Sequence, residues 1–189
     1  MDAKETAVLV LDYQEMLVAN YVDDREECLT RVLQFLESVR SKSIPVIFVT
    51  VGFRPGFPEV SDRNKVFSSV RDGGRFLYGD VATRIPELLG PTDTDLVVNK
   101  HRVSAFEGTD LSVILRAQGI SHLALFGIIT SGVVLSTVRQ AADLDYEISV
   151  IKEFCHDPSP DVQQVLLEKV LPMQATVISA DQYLECLFD

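Results

Sequence analysis

Tryptophan is absent from this chain of 189 residues, and cysteine and histidine each occur only three times. Cys28, Cys155 and Cys186 form an odd, scattered set with no CxxC, which excludes a disulfide framework and leaves them to read as small buried hydrophobes. His101, His122 and His156 lack metal-ligand spacing, so neither a metal nor any other cofactor is expected. Basic residues are also scarce. Seventeen Lys and Arg against 28 Asp and Glu give a formal net charge of −11, and a surface so acidic repels phosphate backbones, which excludes nucleic acid as a partner. Long hydrophobic runs are missing too. Ala7–Leu11 and Ser43–Val51 fall far short of a membrane span, so no membrane partner is expected. The opening Met-Asp-Ala-Lys-Glu lacks the basic-then-apolar order of a signal peptide, and the expected location is cytoplasmic. There is no G-x-x-x-x-G-K-[ST], no G-x-G-x-x-G after the first apolar run and no G-x-S-x-G, so three common routes to phosphate, dinucleotide and ester chemistry are unsupported.

What the chain does have is 47% hydrophobic residues, enough for the core of one large domain spanning 1–189. Short β-branched runs at 6–11, 44–51, 94–99, 122–127, 146–151 and 175–178 predict six strands. Helical periodicity appears at 23–42, from Leu111 to Gly119, at 131–144, 160–171 and 181–187, with a short turn at 85–89 and Thr109 as a cap. Between them, 52–75 shows no sustained period and reads as a long loop that walls a pocket. Alternation of this kind predicts a three-layer α/β/α sandwich on a mostly parallel, Rossmann-like sheet, with ligands bound beyond the C-terminal ends of the strands.

Three features fall at such ends. Asp12 follows the first strand, where it either caps a local turn or faces a ligand. Lys100 follows the third, where it is either solvated or part of a site. The stretch Gly127-Ile-Ile-Thr-Ser-Gly-Val133 is a sharp strand-to-helix turn that points backbone N–H groups above the sheet. Arg54 either pairs with an anionic substrate or stands in solvent.

The run Leu9-Val-Leu-Asp12-Tyr-Gln14, the run from Asn99-Lys100 through Phe106 to Leu111, and Gly127-Ile-Ile-Thr130-Ser-Gly-Val-Val134 with Thr137 and Ala141-Ala142 together resemble the isochorismatase-like superfamily, which includes the cysteine hydrolases. The resemblance implies a catalytic aspartate at Asp12, a lysine at Lys100, a cis peptide between Ile128 and Ile129, and an oxyanion or anion pocket formed by the N–H groups of Ile129 and Val133. It adds Gln14, Phe106 and Thr130 to Arg54 as candidate substrate contacts. It also implies a homo-oligomer. Amide-cleaving members carry a nucleophilic cysteine where this chain has Val133, so the thioester route is closed. Thr50-Val-Gly-Phe-Arg-Pro lacks the metal-ligating residues of nicotinamidases, which argues against that activity. Members without the cysteine cleave a vinyl ether by proton delivery, which an acid alone can begin. The expected function is therefore hydrolysis of a small anionic metabolite of the isochorismate type through Asp12 and Lys100. The alternative is a catalytically silent pseudoenzyme or small-molecule-binding protein on the same fold.

Overall fold

The computed structural model describes residues 2–188. Six strands form: β1 (Thr6–Leu11), β2 (Val46–Val51), β3 (Leu96–Lys100), β4 (His122–Gly127), β5 (Glu147–Ile151) and β6 (Thr176–Ile178). They pair in the order β3-β2-β1-β4-β5-β6, and every pair is parallel. β1, β2 and β4 are buried along their whole length, which is why they read as unbroken apolar runs rather than alternations. The edge strand β3 is mixed: Val97 is 54% exposed while Val98 and Lys100 are buried.

The helices are α1 (Glu15–Tyr21), α2 (Arg25–Ser41), α3 (Lys65–Asp72), α4 (Leu111–Ala117), α5 (Leu135–Asp143), α6 (Pro160–Val165) and α7 (Ala180–Phe188). α2 opens where Asp24 accepts the Glu27 N–H at 3.1 Å and buries Leu29, Val32, Leu36 and Val39 on one stripe. α4 opens with Thr109 accepting the Leu111 N–H and is closed by Gly119 at φ +67°. Right-handed crossovers place α2 on one face of the sheet and α4, α5 and α6 on the other. α7 returns to the face of α2. There the Phe35 ring lies 5.8 Å from Tyr183 and 5.9 Å, edge-on, from Phe126 of β4.

Several expectations need correction. The segment 52–75 is not all loop, because α3 forms within it, capped by Asn64 and burying Phe67 and Val70. α1 follows Asp12 at once, where no helix was expected. The turn at 85–89 shrinks to a 3₁₀ turn, Glu87–Leu89. The helix expected over 160–171 breaks after α6 into a π turn, Leu166–Val170. Of the cysteines only Cys155 is a buried hydrophobe. Cys28 is half-buried and Cys186 exposed.

Strand order reverses between β1 and β4, so the crevice for a ligand opens there. Leu11 pairs with Gly127 across this point. A Cβ at Gly127 would lie 2.4 Å from the Leu11 carbonyl oxygen, so only glycine lets the two strand ends meet.

Candidate active site

Asp12 leaves β1 in the left-handed region, at φ 55°, a conformation that aspartate tolerates better than most residues. Its N–H donates to Val49 O and its carbonyl accepts from Gln14 N–H, both at 2.8 Å. The turn is thus made by backbone, and the carboxylate is left for Lys100, whose Nζ lies 2.9 Å from Asp12 Oδ2. Lys100 sits two strands away, in register with Val51 at the end of β2. Its stem crosses that end, and Nζ also donates to Arg102 O at 3.1 Å. Both side chains are almost wholly buried, at 7% exposure for Asp12 and 2% for Lys100. Asp12 Oδ1 has no hydrogen-bond partner among the described residues. Burial pushes the Asp12 carboxyl above its ordinary value of 3.8, and the Lys100 ammonium beside it opposes the rise without cancelling it.

Beyond β4 the Ile128–Ile129 peptide is cis, as the resemblance implies. Thr130–Val134 then forms a π turn ahead of α5, with the Val134 N–H reaching Ile129 O at 3.4 Å. Such turns recur at functional sites. Val133 is buried in it. Asp12, Lys100, Ile129, Gly132 and Val133 border one cavity of about 380 Å³, within the usual size range of small-molecule sites. Its other walls come from α1 and α3. A larger hollow of about 590 Å³ opens at the other end of the sheet, around Arg40 and Asp95, whose charges are spent on each other.

A model of the isochorismatase domain matches residues 6–182. The chain belongs to the isochorismatase family. It is 29% identical over 189 residues to the isochorismatase family protein YecD of Escherichia coli O157:H7, covering 99% of this chain and 98% of that one. It is 27% identical to the ureidoacrylate amidohydrolase RutB of Stutzerimonas stutzeri, over 97% of this chain and 83% of the relative. Among solved structures, a cysteine hydrolase from Pseudomonas syringae pv. phaseolicola superimposes with a TM-score of 0.88 at 20% identity, covering 98% of this chain and 93% of the other, and so shares the fold.

Within this isochorismatase-family chain, no thiol borders the cavity of Asp12 and Lys100 among the described residues. Cys155 turns its sulfur to Ile151 O at 3.5 Å, and burial pushes its thiol up to about 12. Cys28, on α2, faces Tyr13 and His156. Cys186 is exposed on α7.

The candidate substrate contacts scatter. Gln14 is fully buried, and its amide is spent on backbone. It donates to Val51 O at 2.9 Å and Thr83 O at 2.7 Å and accepts from Val51 N–H at 2.9 Å. It therefore clamps the Asp12 turn over the end of β2, and does not border the cavity. Arg54 is exposed, paired with Glu59, and also outside the cavity wall. Phe106 is buried against the Tyr146 ring at 5.9 Å. Thr130 is buried, its hydroxyl has no partner among the described residues, and its N–H donates to His156 O. Neither of them borders the cavity.

The segment 52–75 does wall the cavity, through Val66, Phe67 and Val70 of α3 and Arg75, with Phe76 just beyond, but sequence reasoning read it as loop and missed Met16 and Leu17 of α1. A signal for α3 exists, since Asn64 precedes apolar residues at 66, 67 and 70 with helical spacing. Among the described residues no group of three or more His, Cys, Asp or Glu side chains is placed to hold a metal. No helix there is long and apolar enough to cross a membrane.

Proposed function

We propose that this isochorismatase-family chain hydrolyses the vinyl ether of a small anionic metabolite without a cysteine nucleophile. The observation that carries this reading is the buried Asp12–Lys100 pair, which faces a cavity whose nucleophile position holds Val133. Asp12 is the general acid. Burial favours its neutral form, and Oδ1 is free of internal hydrogen bonds. Its proton goes to the terminal vinyl carbon, leaving an oxocarbenium ion. The new Asp12 carboxylate then faces that cation and is held by Lys100. Water adds to the cationic carbon and gives its proton back to Asp12. The resulting hemiketal collapses to a ketone, pyruvate for an enolpyruvyl ether, and an alcohol. Lys100 holds the carboxylate form of Asp12 through the step and orients the substrate.

RutB relatives are named as amidohydrolases, and an amide substrate is the competing reaction on this fold. The absence of any thiol from the cavity wall speaks against it here. A silent, ligand-binding centre is the second reading. It is favoured by the closure of the Lys100 ammonium on Asp12 Oδ2 and Arg102 O, which leaves the pair largely satisfied without a substrate. The homo-oligomer belongs to the same proposal and rests on the family resemblance.

The test is pyruvate release from isochorismate, coupled to lactate dehydrogenase. Turnover that is lost in Asp12→Asn and strongly reduced in Lys100→Met is the expected outcome. No pyruvate, or pyruvate formed equally by Asp12→Asn, overturns the reading. Binding retained by an inactive wild type would then favour the silent centre.

A further inference from the structure

The cavity wall opposite Asp12 is apolar, and it carries a charge of its own. Val66, Phe67 and Val70 of α3 line it with Phe76, and Val66 is 58% exposed, so this wall extends to the mouth. Phe76 holds a left-handed backbone at φ 61°, which is an outlier for a bulky side chain, yet it is buried against the cavity. Strain of this kind persists only where surrounding contacts impose it, and it concentrates at ligand-binding walls. Here the left-handed residue turns the chain back from α3 so that Phe76 O accepts the Phe53 N–H at 2.8 Å.

Arg75 stands beside it and also borders the cavity. The carboxyl and the amine on the wall, of Asp12 and Lys100, are bound to each other at 2.9 Å. Arg75 enters none of the ion pairs found among the described residues. Among the described residues its guanidinium hydrogen-bonds only Ser69, through the carbonyl at 3.2 Å and the hydroxyl at 3.4 Å, both neutral acceptors. Arg71, one turn away on α3, is by contrast paired with Asp62 and Asp72. Among the described residues, Arg75 is the one charged side chain bordering the cavity that enters no ion pair. A guanidinium presents a planar fork of donors suited to a carboxylate.

We infer that the site takes a carboxylate borne on an apolar body. The carboxylate meets Arg75 at the mouth, the body lies along Val66, Phe67, Val70 and Phe76, and the far end reaches Asp12 and Lys100. The assignment of that far end as the reacting end rests on the proposed function. The binding class does not. Short, polar substrates leave the apolar wall wet and Arg75 unmet, and are disfavoured.

Isothermal titration with three probes tests this on the full chain: 3-phenylpropionate, its uncharged amide, and succinate. Phenylpropionate is expected to bind best. Arg75→Gln should weaken it by roughly tenfold, to the level of the amide, with Arg75→Lys intermediate. Ser69→Asp supplies Arg75 with an internal carboxylate and should weaken phenylpropionate similarly while leaving the amide unchanged. Both positions are exposed, so these variants keep the fold. Equal binding of acid and amide, unchanged binding in Arg75→Gln, tighter binding of succinate, or no binding of phenylpropionate overturns the inference. Asp12→Asn separates the two proposals: it should abolish pyruvate release and retain Arg75-dependent binding. Binding that depends on Arg75 in a protein without turnover sinks the reaction and keeps the substrate class.

Discussion

Replacing Lys100 with methionine keeps the stem and removes the ammonium from a side chain only 2% exposed. Two contacts vanish, the 2.9 Å ion pair to Asp12 Oδ2 and the 3.1 Å hydrogen bond to Arg102 O. Removing one partner of a buried pair costs about 3–5 kcal/mol, chiefly because the other charge is stranded. Asp12 has a partial escape. Burial already lifts its carboxyl above 3.8 and Lys100 is what restrains the rise, so without Lys100 it takes up a proton at a still higher pH. The expected cost at pH 7 is therefore at the low end, about 3 kcal/mol. For a domain of this size that lowers Tm by roughly 6–12 °C.

A double-mutant cycle with Asp12→Asn isolates the pair. Asp12→Asn/Lys100→Met carries neither charge and should be more stable than the sum of the single effects predicts, by about 1–3 kcal/mol in urea denaturation at pH 7. The pH dependence has a fixed sign. The folded-state pKa of Asp12 lies above its unfolded value, so its contribution is fully present below the unfolded value and is lost as pH rises through the raised one. In Lys100→Met that raised value is higher still, so the deficit against wild type widens with rising pH and closes in acid. A single-variant cost below about 0.5 kcal/mol, the level of an ordinary surface change, refutes the reasoning. So do strictly additive effects, or a deficit that grows toward acid.

Other expectations follow from the same geometry. Gln14→Ala leaves the Val51 N–H and the Val51 and Thr83 carbonyls unmet, and a thermal melt should show a loss of about 3 kcal/mol or more; a loss under about 1 kcal/mol contradicts the clamp role. Gly127→Ala drives a Cβ to 2.4 Å from the Leu11 carbonyl oxygen, so the variant should express poorly or lose about 3 kcal/mol or more, and a stable, cooperative fold would contradict the tight approach. Iodoacetamide should label Cys186 readily and Cys155 not at all in the native state. Val133→Cys should add a thiol protected by cavity ligands, read by mass spectrometry. If Asp12 acts as the neutral acid, kcat/KM for vinyl ether hydrolysis should fall as pH rises through its raised pKa, and a rate that instead climbs with pH would give Asp12 another role.

The central sheet was legible because β1, β2 and β4 show as unbroken apolar runs, and Asp12 because it follows one; Lys100 ends the half-exposed edge strand β3. The distal wall was legible as a pocket wall in 52–75 but not as a helix. α3 has only eight residues, too few to stand out as a helix between stretches rich in Pro and Gly, although Asn64 and the apolar spacing at 66, 67 and 70 mark it. Arg75 follows two glycines in what reads as loop, and only the chain's return at Phe76 brings it to the cavity. Gln14 shows the converse error. Its place in a motif drew attention to it as a substrate contact, whereas its amide satisfies backbone groups at the end of a neighbouring strand.

The missing nucleophile is a subtler case. The sequence shows valine at position 133, but a cysteine from another strand end can in principle stand in. Cys155 follows β5, which neighbours β4, and is the natural substitute by topology. Its sulfur is committed to Ile151 O, its thiol is pushed up to about 12, and it lies outside the cavity wall. A thiolate there is inaccessible near neutral pH, so Cys155 is a poor stand-in and the proposed reaction is assigned to Asp12 and Lys100 instead.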